Sequence, residues 1–310
     1  MRRSRVHPIR DACYPLALVR ATIIYMTGRR EPRLDWLMTG LEDQAVPSDQ
    51  LELIIVDAAA RPAASIGYRE VAAITRLVEA TPKPCVWQGA HRVTKRDWWA
   101  TANARNTGIA LATHDYLAFL DDRCTLGPSW LAAVRDGERE RASVIAGSYD
   151  KLEDGKLTQD HRRDLYPFGK PDCGGGWLYG CSFALPLEWA LEVNGQEEGC
   201  DGLSGEDYVF GLMLAGQGRR IDFRPRMMVL QDRSRASQHE FTRRDKGVSP
   251  NDKSHAALAR FGARTRTEFT PDLRELRRAL AAGGSFPVVD PREPHLDWYD
   301  GQPISQMEPG

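Results

Sequence analysis

Residues 97–122, DWWATANARNTGIALATHDYLAFLDD, decide the fold. The spacing predicts a helix carrying Trp98, Ala102, Arg105, Asn106 and Ile109. The polar break Thr113-His114-Asp115 follows, and then a short apolar strand, residues 116–120, that runs straight into Asp121 and Asp122. Ligands of an open α/β sheet sit in the crevice beyond the carboxyl ends of its strands. Two adjacent acids at that point suit a cation or a sugar hydroxyl. An acid after a strand also serves ordinary turns, where its side chain bonds the backbone two residues on.

Working back toward the N-terminus, residues 17–26 have the β-branched enrichment of a buried strand. A loop with Gly28, Arg29, Arg30 and Pro32 comes next. Leu34, Leu37, Met38 and Leu41 then fall on one face of an amphipathic helix, and residues 51–56 form a second strand that ends at Asp57. Strand, helix, strand in this order builds a parallel sheet. The spacing of Val71, Ile74, Leu77 and Val78 predicts a further helix over 68–79, closed by Pro82 and Pro84 before a short strand at 85–88. Beyond the central stretch, Pro128 at a first helical turn starts a helix, and residues 143–148 read as a strand.

From Lys151 to Lys170 charge dominates without a period, which predicts a long loop. Gly174-Gly175-Gly176 precede an apolar strand over 177–185, and Pro186 begins a helix that runs to Val193. Ser204-Gly205-Glu206-Asp207 open a helical run, with strands at 220–223 and 227–231 after it. Residues 232–250 are polar and strongly charged, residues 253–261 and 272–281 read as helices, and the tail from Pro287 is extended or disordered. The chain divides into a lead (1–16), a first α/β half (17–150), a second half with a mobile loop (151–250), C-terminal helices (251–285) and a tail (286–310).

The chain has 310 residues, 42% of them apolar, and a formal net charge of −1. That is enough to bury a substantial core, and the charge balance implies no nucleic-acid partner. No apolar run reaches the roughly 18 residues of a membrane span. Arg2, Arg3, Arg5 and Arg10 form a basic start that suits either an anionic membrane surface or plain solvent. Six cysteines show no CxxC pair, so a reduced, cytoplasmic protein is expected and a structural zinc site is not.

Ser204, followed three residues later by an acid ahead of an apolar run, has the form of a capping box. Capping does not require two consecutive acids. A carboxylate in a first helical turn meets the positive end of the helix dipole, which favours its ionised form, and an ionised, positioned carboxylate is what a general base requires.

Taken in order, the β-loop-helix-β unit ending in Asp57, Ala104-Arg105-Asn106-x-Gly108, Phe119-Leu120-Asp121-Asp122, Gly180-x-Ser182, Val193-Asn194-Gly195 and Gly205-Glu206-Asp207 resemble the inverting GT-A glycosyltransferases. The resemblance is closest to the family 2 type and covers about residues 18–231. It implies one α/β domain with a mostly parallel, helix-flanked sheet and a C-terminal helical extension. It also implies transfer of a sugar from a nucleoside diphosphate donor, a UDP-sugar first, to a hydroxyl of a glycan or other acceptor. Under that resemblance Asp57 meets the nucleobase, Arg105 lies near the diphosphate or sugar, Asp121 contacts ribose or sugar, and Asp122 reaches a divalent metal. Asp207 is the catalytic base and Glu206 holds the acceptor.

The family pattern is Asp-x-Asp, and here its third position is Arg123. Hard oxygen ligands suit Mn²⁺ or Mg²⁺, with His239 as a further ligand. Arg123 opens a second route in which its guanidinium pairs with the diphosphate and metal matters less. Trp177 is a candidate acceptor platform, Trp98 and Trp99 read as core, and His255 reads as a surface residue. Arg233, Arg235, Arg243, Arg244 and Lys246 suit either a lid over the diphosphate or a solvated loop. Two other readings stand beside this one: a non-catalytic nucleotide-sugar-binding or scaffold protein on the same fold, and a nucleotidyltransferase. The second of these calls for a basic, glycine-rich phosphate loop after the first strand, and Gly28-Arg29-Arg30 is a short match to it.

Overall fold

The computed structural model describes residues 18–85, 101–201, 205–234 and 261–287. Its centre is a nine-stranded mixed sheet. In chain order the elements are β1 (Arg20–Thr27), α1 (Leu34–Gln44), β2 (Gln50–Asp57), β3 (Ile74–Ala80), α2 (Thr101–Leu111), β4 (Tyr116–Asp121), β5 (Cys124–Leu126), α3 (Trp130–Glu140), β6 (Val144–Glu153), β7 (Lys156–Thr158), α4 (His161–Leu165), β8 (Ser182–Pro186), α5 (Leu187–Glu192), α6 (Glu206–Gly216), β9 (Ile221–Asp232) and α7 (Leu273–Ala281).

The strand order is β3-β2-β1-β4-β8-β6-β9-β5, with β7 paired to β6. Strands β3, β2, β1 and β4 run parallel, whereas β8 is antiparallel to both β4 and β6. The sheet thus continues unbroken from the first half of the chain into the second. Each face carries its own apolar core, one built around Phe119, Phe183 and Phe210, the other around Tyr25, Leu53 and Trp130. Phe119 and Phe183 stack across the β4–β8 seam with ring centroids 4.3 Å apart.

Helix α2 is the element that the site depends on, and it is buried from Ala102 through Ala110. Gly108 lets it lie directly on β1, since a Cβ there would sit 2.4 Å from Ile24. Both of its ends are closed by distant residues. Asp201 accepts from the amides of Ala102 (2.7 Å) and Asn103 (3.2 Å), while Arg277 of α7 donates to the carbonyls of Ile109 (2.8 Å) and Ala112 (2.6 Å). An acid at the N-terminus and a cation at the C-terminus also complement the helix dipole. Asn106 makes a two-way bond with the backbone of Gln196, 2.8 Å in each direction, and so ties the helix to the turn at Asn194-Gly195.

Three sequence expectations are corrected here. Residues 74–80 form the edge strand β3 rather than part of a helix over 68–79. The apolar spacing fits both periods over so short a run, and the pairing of β3 with β2 decides it. The expected loop at 151–170 holds the end of β6, then β7 and α4. Asp154 (φ 48°) and Gly155 (φ 79°) make the tight hairpin between β6 and β7, a left-handed pair that Asp-Gly favours. The two strands expected at 220–223 and 227–231 are one strand, β9. Pro225 lies where the register against β6 shifts, between Gly147 and Ser148, because proline has no N–H to give the ladder.

The apolar strand expected from Trp177 is shorter, since Gly175–Trp177 is a 3₁₀ turn and β8 starts at Ser182. Most of the strand expected at 85–88, Trp98, Trp99, Ser204, most of the helix expected at 253–261, and the tail beyond 287 lie outside the described residues.

Candidate active site

The parallel register places Asp57 opposite Thr27 and Asp121 opposite Met26. The carboxyl ends of β2, β1 and β4 therefore lie side by side with their acids at one edge. Asp57 is buried and turned inward: it accepts from the amides of Ala59 (2.9 Å) and Arg61 (3.1 Å), and from the Arg61 guanidinium at 2.8 and 2.9 Å. Any nucleobase contact by Asp57 works around that fork.

Because successive residues of a strand face opposite ways, Asp121 and Asp122 part company. Asp122 turns beneath the loop after β1. It accepts from the Tyr25 and Thr27 hydroxyls and from the amides of Arg33 (2.9 Å) and Arg123 (2.6 Å). Burial pushes its carboxyl above the ordinary carboxylate range, with the donors pulling the other way. Arg123 adopts a left-handed backbone (φ 58°). Its guanidinium pairs with Asp232 at the end of β9, donates to the Glu31 carbonyl at 2.7 Å, and stands 5.5 Å from the Trp36 ring.

A divalent ion on Asp122 does not fit this donor set. Both of its oxygens are already filled by internal donors, and the position where the family has a third acid brings a positive charge instead. Among the described residues no group of three or more His, Cys, Asp or Glu could hold a metal, and His239, like His255, lies outside them.

Asp121 faces the other way, toward α2. Its Oδ1 accepts from Arg105 Nη2 at 2.9 Å. The Nη1 of the same guanidinium donates to Glu206 at 2.9 Å and to Gln196 at 3.1 Å. Arg105 is 2% exposed, and its pKa is raised by the acids around it against the cost of burial. The resemblance implies Arg105 near the diphosphate or sugar; in the structure its fork is occupied by Asp121, Glu206 and Gln196. Gly180 belongs to this arrangement, because a Cβ there would lie 2.2 Å from Arg105 Nη2. Ser182, the other residue of that motif, accepts from Trp130 Nε1 (2.9 Å) and donates to the Met227 carbonyl (3.1 Å), which is a packing role.

Helix α6 opens at Gly205 (φ 87°) with Glu206 and Asp207 in its first turn. Asp207 accepts from the backbone amides of Gly180 (2.6 Å) and Tyr208 (2.7 Å). Burial raises its pKa, against the pull of Arg105 and of those two amides. Burial, together with the charge of Asp207, lifts Glu206 to about 7. Two half-buried acids thus pair with a single buried guanidinium, and the charge of a third, Asp207, bears on it as well. That arrangement keeps a proton available near neutral pH, as general acid–base chemistry requires.

Trp177 is half-buried, tilted against Tyr166 and edge-on to Phe223, with Lys170 Nζ 4.8 Å from its ring. Tyr208, next to the acid pair, is more open and packs against Gly176. The sequence reading missed Arg61, Gln196, Asp201 and Asp232. Asp232 carried a faint signal as the acid ending a strand, but its pairing with a residue 109 positions earlier left none.

Acids at the ends of parallel strands, facing an acid pair at a helix start across a mixed α/β sheet, belong to a fold of the GT-A class. The sequence matches the family model described as glycosyl transferase family 2 over residues 22–190, and the chain belongs to that family. Among solved structures, S. aureus TarS 1-349 in complex with UDP is similar at 13% identity and a TM-score of 0.55, over 79% of this chain and 64% of that one. GalNAc-T7 with UDP, GalNAc and Mn²⁺ is similar at 13% identity and a TM-score of 0.52, over 78% of this chain and 48% of that one. These likenesses are in fold, and the chain spans less than two thirds of either structure's length. No curated protein matches the sequence.

Proposed function

We propose that this protein moves a hexose-type sugar from a nucleoside diphosphate donor, UDP-linked, to a hydroxyl of a glycan or other acceptor, with inversion at the anomeric carbon. Asp207 is the base. It takes the proton of the acceptor hydroxyl as that oxygen attacks the anomeric carbon from the face opposite the diphosphate. The bond to the diphosphate oxygen breaks in the same displacement, which inverts the centre. Glu206 orients the acceptor, with Trp177 and Tyr208 as its aromatic platforms. Asp57 and Asp121 attend the nucleotide and sugar.

The observation that carries this reading is the half-buried pair Glu206-Asp207, with Asp207 held by the Gly180 and Tyr208 amides and Glu206 joined to Asp121 through Arg105. Two backbone donors fix the orientation of Asp207, and burial keeps its basicity above that of an exposed carboxylate. The charge that develops on the leaving diphosphate is assigned to guanidinium groups rather than to Mn²⁺ or Mg²⁺, with Arg123 serving once it exchanges Asp232 for the diphosphate. The buried free thiols of Cys124, Cys173, Cys181 and Cys200 accord with a reducing, cytoplasmic setting. No helix among the described residues is long and apolar enough to cross a membrane.

The test is a thermal-shift panel of nucleoside diphosphates and UDP-sugars, with and without Mn²⁺. A ligand at about 100 times its dissociation constant adds about 2.7 kcal/mol to the native state. UDP is expected to raise the melting temperature with or without the metal. A nucleotide-sugar that binds but never releases UDP in the presence of an acceptor panel would favour the scaffold reading.

A further inference from the structure

We propose that Arg105 is the positioning residue of this site, a single guanidinium that ties the acid at the end of β4 to the acid pair at the start of α6 and so fixes the spacing between the donor and acceptor halves. The residue comes from α2, which lies under both halves without belonging to either edge. Its two terminal nitrogens divide the work, since Nη2 holds Asp121 at 2.9 Å and Nη1 holds Glu206 at 2.9 Å and Gln196 at 3.1 Å. The planar fork makes both links at once in a fixed geometry, which a flexible ammonium cannot do. A donor that binds by Asp121 and an acceptor that binds by Glu206 are thereby set at one distance, and reactions between bound partners depend steeply on that distance.

The surroundings are built for this purpose. Helix α2 cannot slide, because Asp201 and Arg277 clamp its two ends and Asn106 locks it to Gln196. Gly180 leaves the space that the guanidinium fills, and the Phe183 ring lies 5.8 Å away on the same side. Among the described residues, the charged and titratable groups bearing on Glu206 and Asp207 include Arg105 from α2, Asp121 from β4, Cys181 from the segment before β8, and Cys200 from the turn after α5. Arg105 alone among these brings positive charge. It lowers both acids against burial, so its loss moves their protonation to higher pH.

The experiment uses the full chain with ¹³C-carboxylate-labelled Glu and Asp, in wild type, Arg105→Lys and Arg105→Gln. The Glu206 signal is identified by its absence in Glu206→Gln. Three readouts are taken: UDP affinity, release of UDP from a UDP-sugar panel, and the midpoint of the Glu206 titration. Arg105→Lys is expected to keep UDP affinity within about threefold of wild type, while turnover falls about 100-fold in kcat rather than KM. The Glu206 midpoint is expected to rise in both variants, by about one pH unit in Arg105→Gln.

Wild-type turnover in Arg105→Lys would overturn the proposal. So would UDP affinity falling in step with turnover, which would make Arg105 a donor-binding residue. Should Arg105→Gln fail to fold, an unmoved Glu206 midpoint in Arg105→Lys would overturn it as well. The kinetic arm rests on the transferase reading. A wild type that neither binds UDP nor releases it defeats that reading, and the Glu206 midpoint still decides whether Arg105 governs the acid pair.

Discussion

The two sides of the site treat their acids in opposite ways. At the strand ends each carboxylate has its own donors: Asp57 has the Arg61 fork, Asp122 has two hydroxyls and two amides, and Asp232 has Arg123. At the start of α6, Glu206 and Asp207 share one guanidinium with Asp121. Matched acids are held in place by those donors, and they serve as structure and as walls for a ligand. The crowded pair is under-compensated, its protonation lies closer to neutrality, and it is there that a proton can change hands.

The first way to break this comparison is to empty a matched acid. Asp122→Ala leaves the Tyr25 and Thr27 hydroxyls and two amides without their acceptor in a buried place. It is expected to cost about 3 kcal/mol or more by urea denaturation. A loss below about 1 kcal/mol would mean that the loop after β1 does not depend on Asp122.

A smaller effect of opposite sign is expected on the crowded side. Burial raises Glu206 from 4.5 to about 7, so the folded state holds this proton more tightly than the unfolded chain does. The contribution to stability is complete below the unfolded value and is lost as pH rises through the folded one. Glu206→Gln is therefore expected to be more stable than wild type at pH 8, by about 1 kcal/mol, with the gain gone by pH 4.5. A variant that is destabilised at pH 8 would show that the ion pair with Arg105 outweighs burial.

The smallest effect concerns metal. With Asp122 filled and Arg123 in place of an acid, chelation by EDTA is expected to change UDP affinity by less than about threefold, measured by calorimetry. Arg123→Asp, which restores the Asp-x-Asp form, is expected to make UDP binding depend on Mn²⁺. Strong metal dependence in wild type would place the ion on ligands other than Asp122.

How much of this was legible follows from how far apart the interacting residues are. The strand Tyr116–Asp121 and the helix carrying Arg105 and Asn106 are read directly from residues 97–122, because apolar periodicity and a polar break are local signals. The two acids of α6 are legible for the same reason. The opposite facing of Asp121 and Asp122 follows from strand alternation, but which of them meets the pocket depends on Tyr25, Thr27 and Arg105. The clamps on α2 come from Asp201 and Arg277, and the reason for Gly180 is a guanidinium 75 positions earlier in the chain. Contacts at that separation leave no mark in composition. The edge strand β3 was misread because a run of seven residues, Ile74–Ala80, fits either period until its neighbour β2 is known.

The most direct test of the account is Asp207→Asn, an isosteric change that removes the base and keeps an oxygen for one of the two amides, Gly180 or Tyr208, that now donate to different oxygens of Asp207. UDP release from the active nucleotide-sugar in the presence of acceptor is expected to fall by about 10³-fold, with UDP affinity within about threefold of wild type. An Asp207→Asn protein that turns over at the wild-type rate would contradict it.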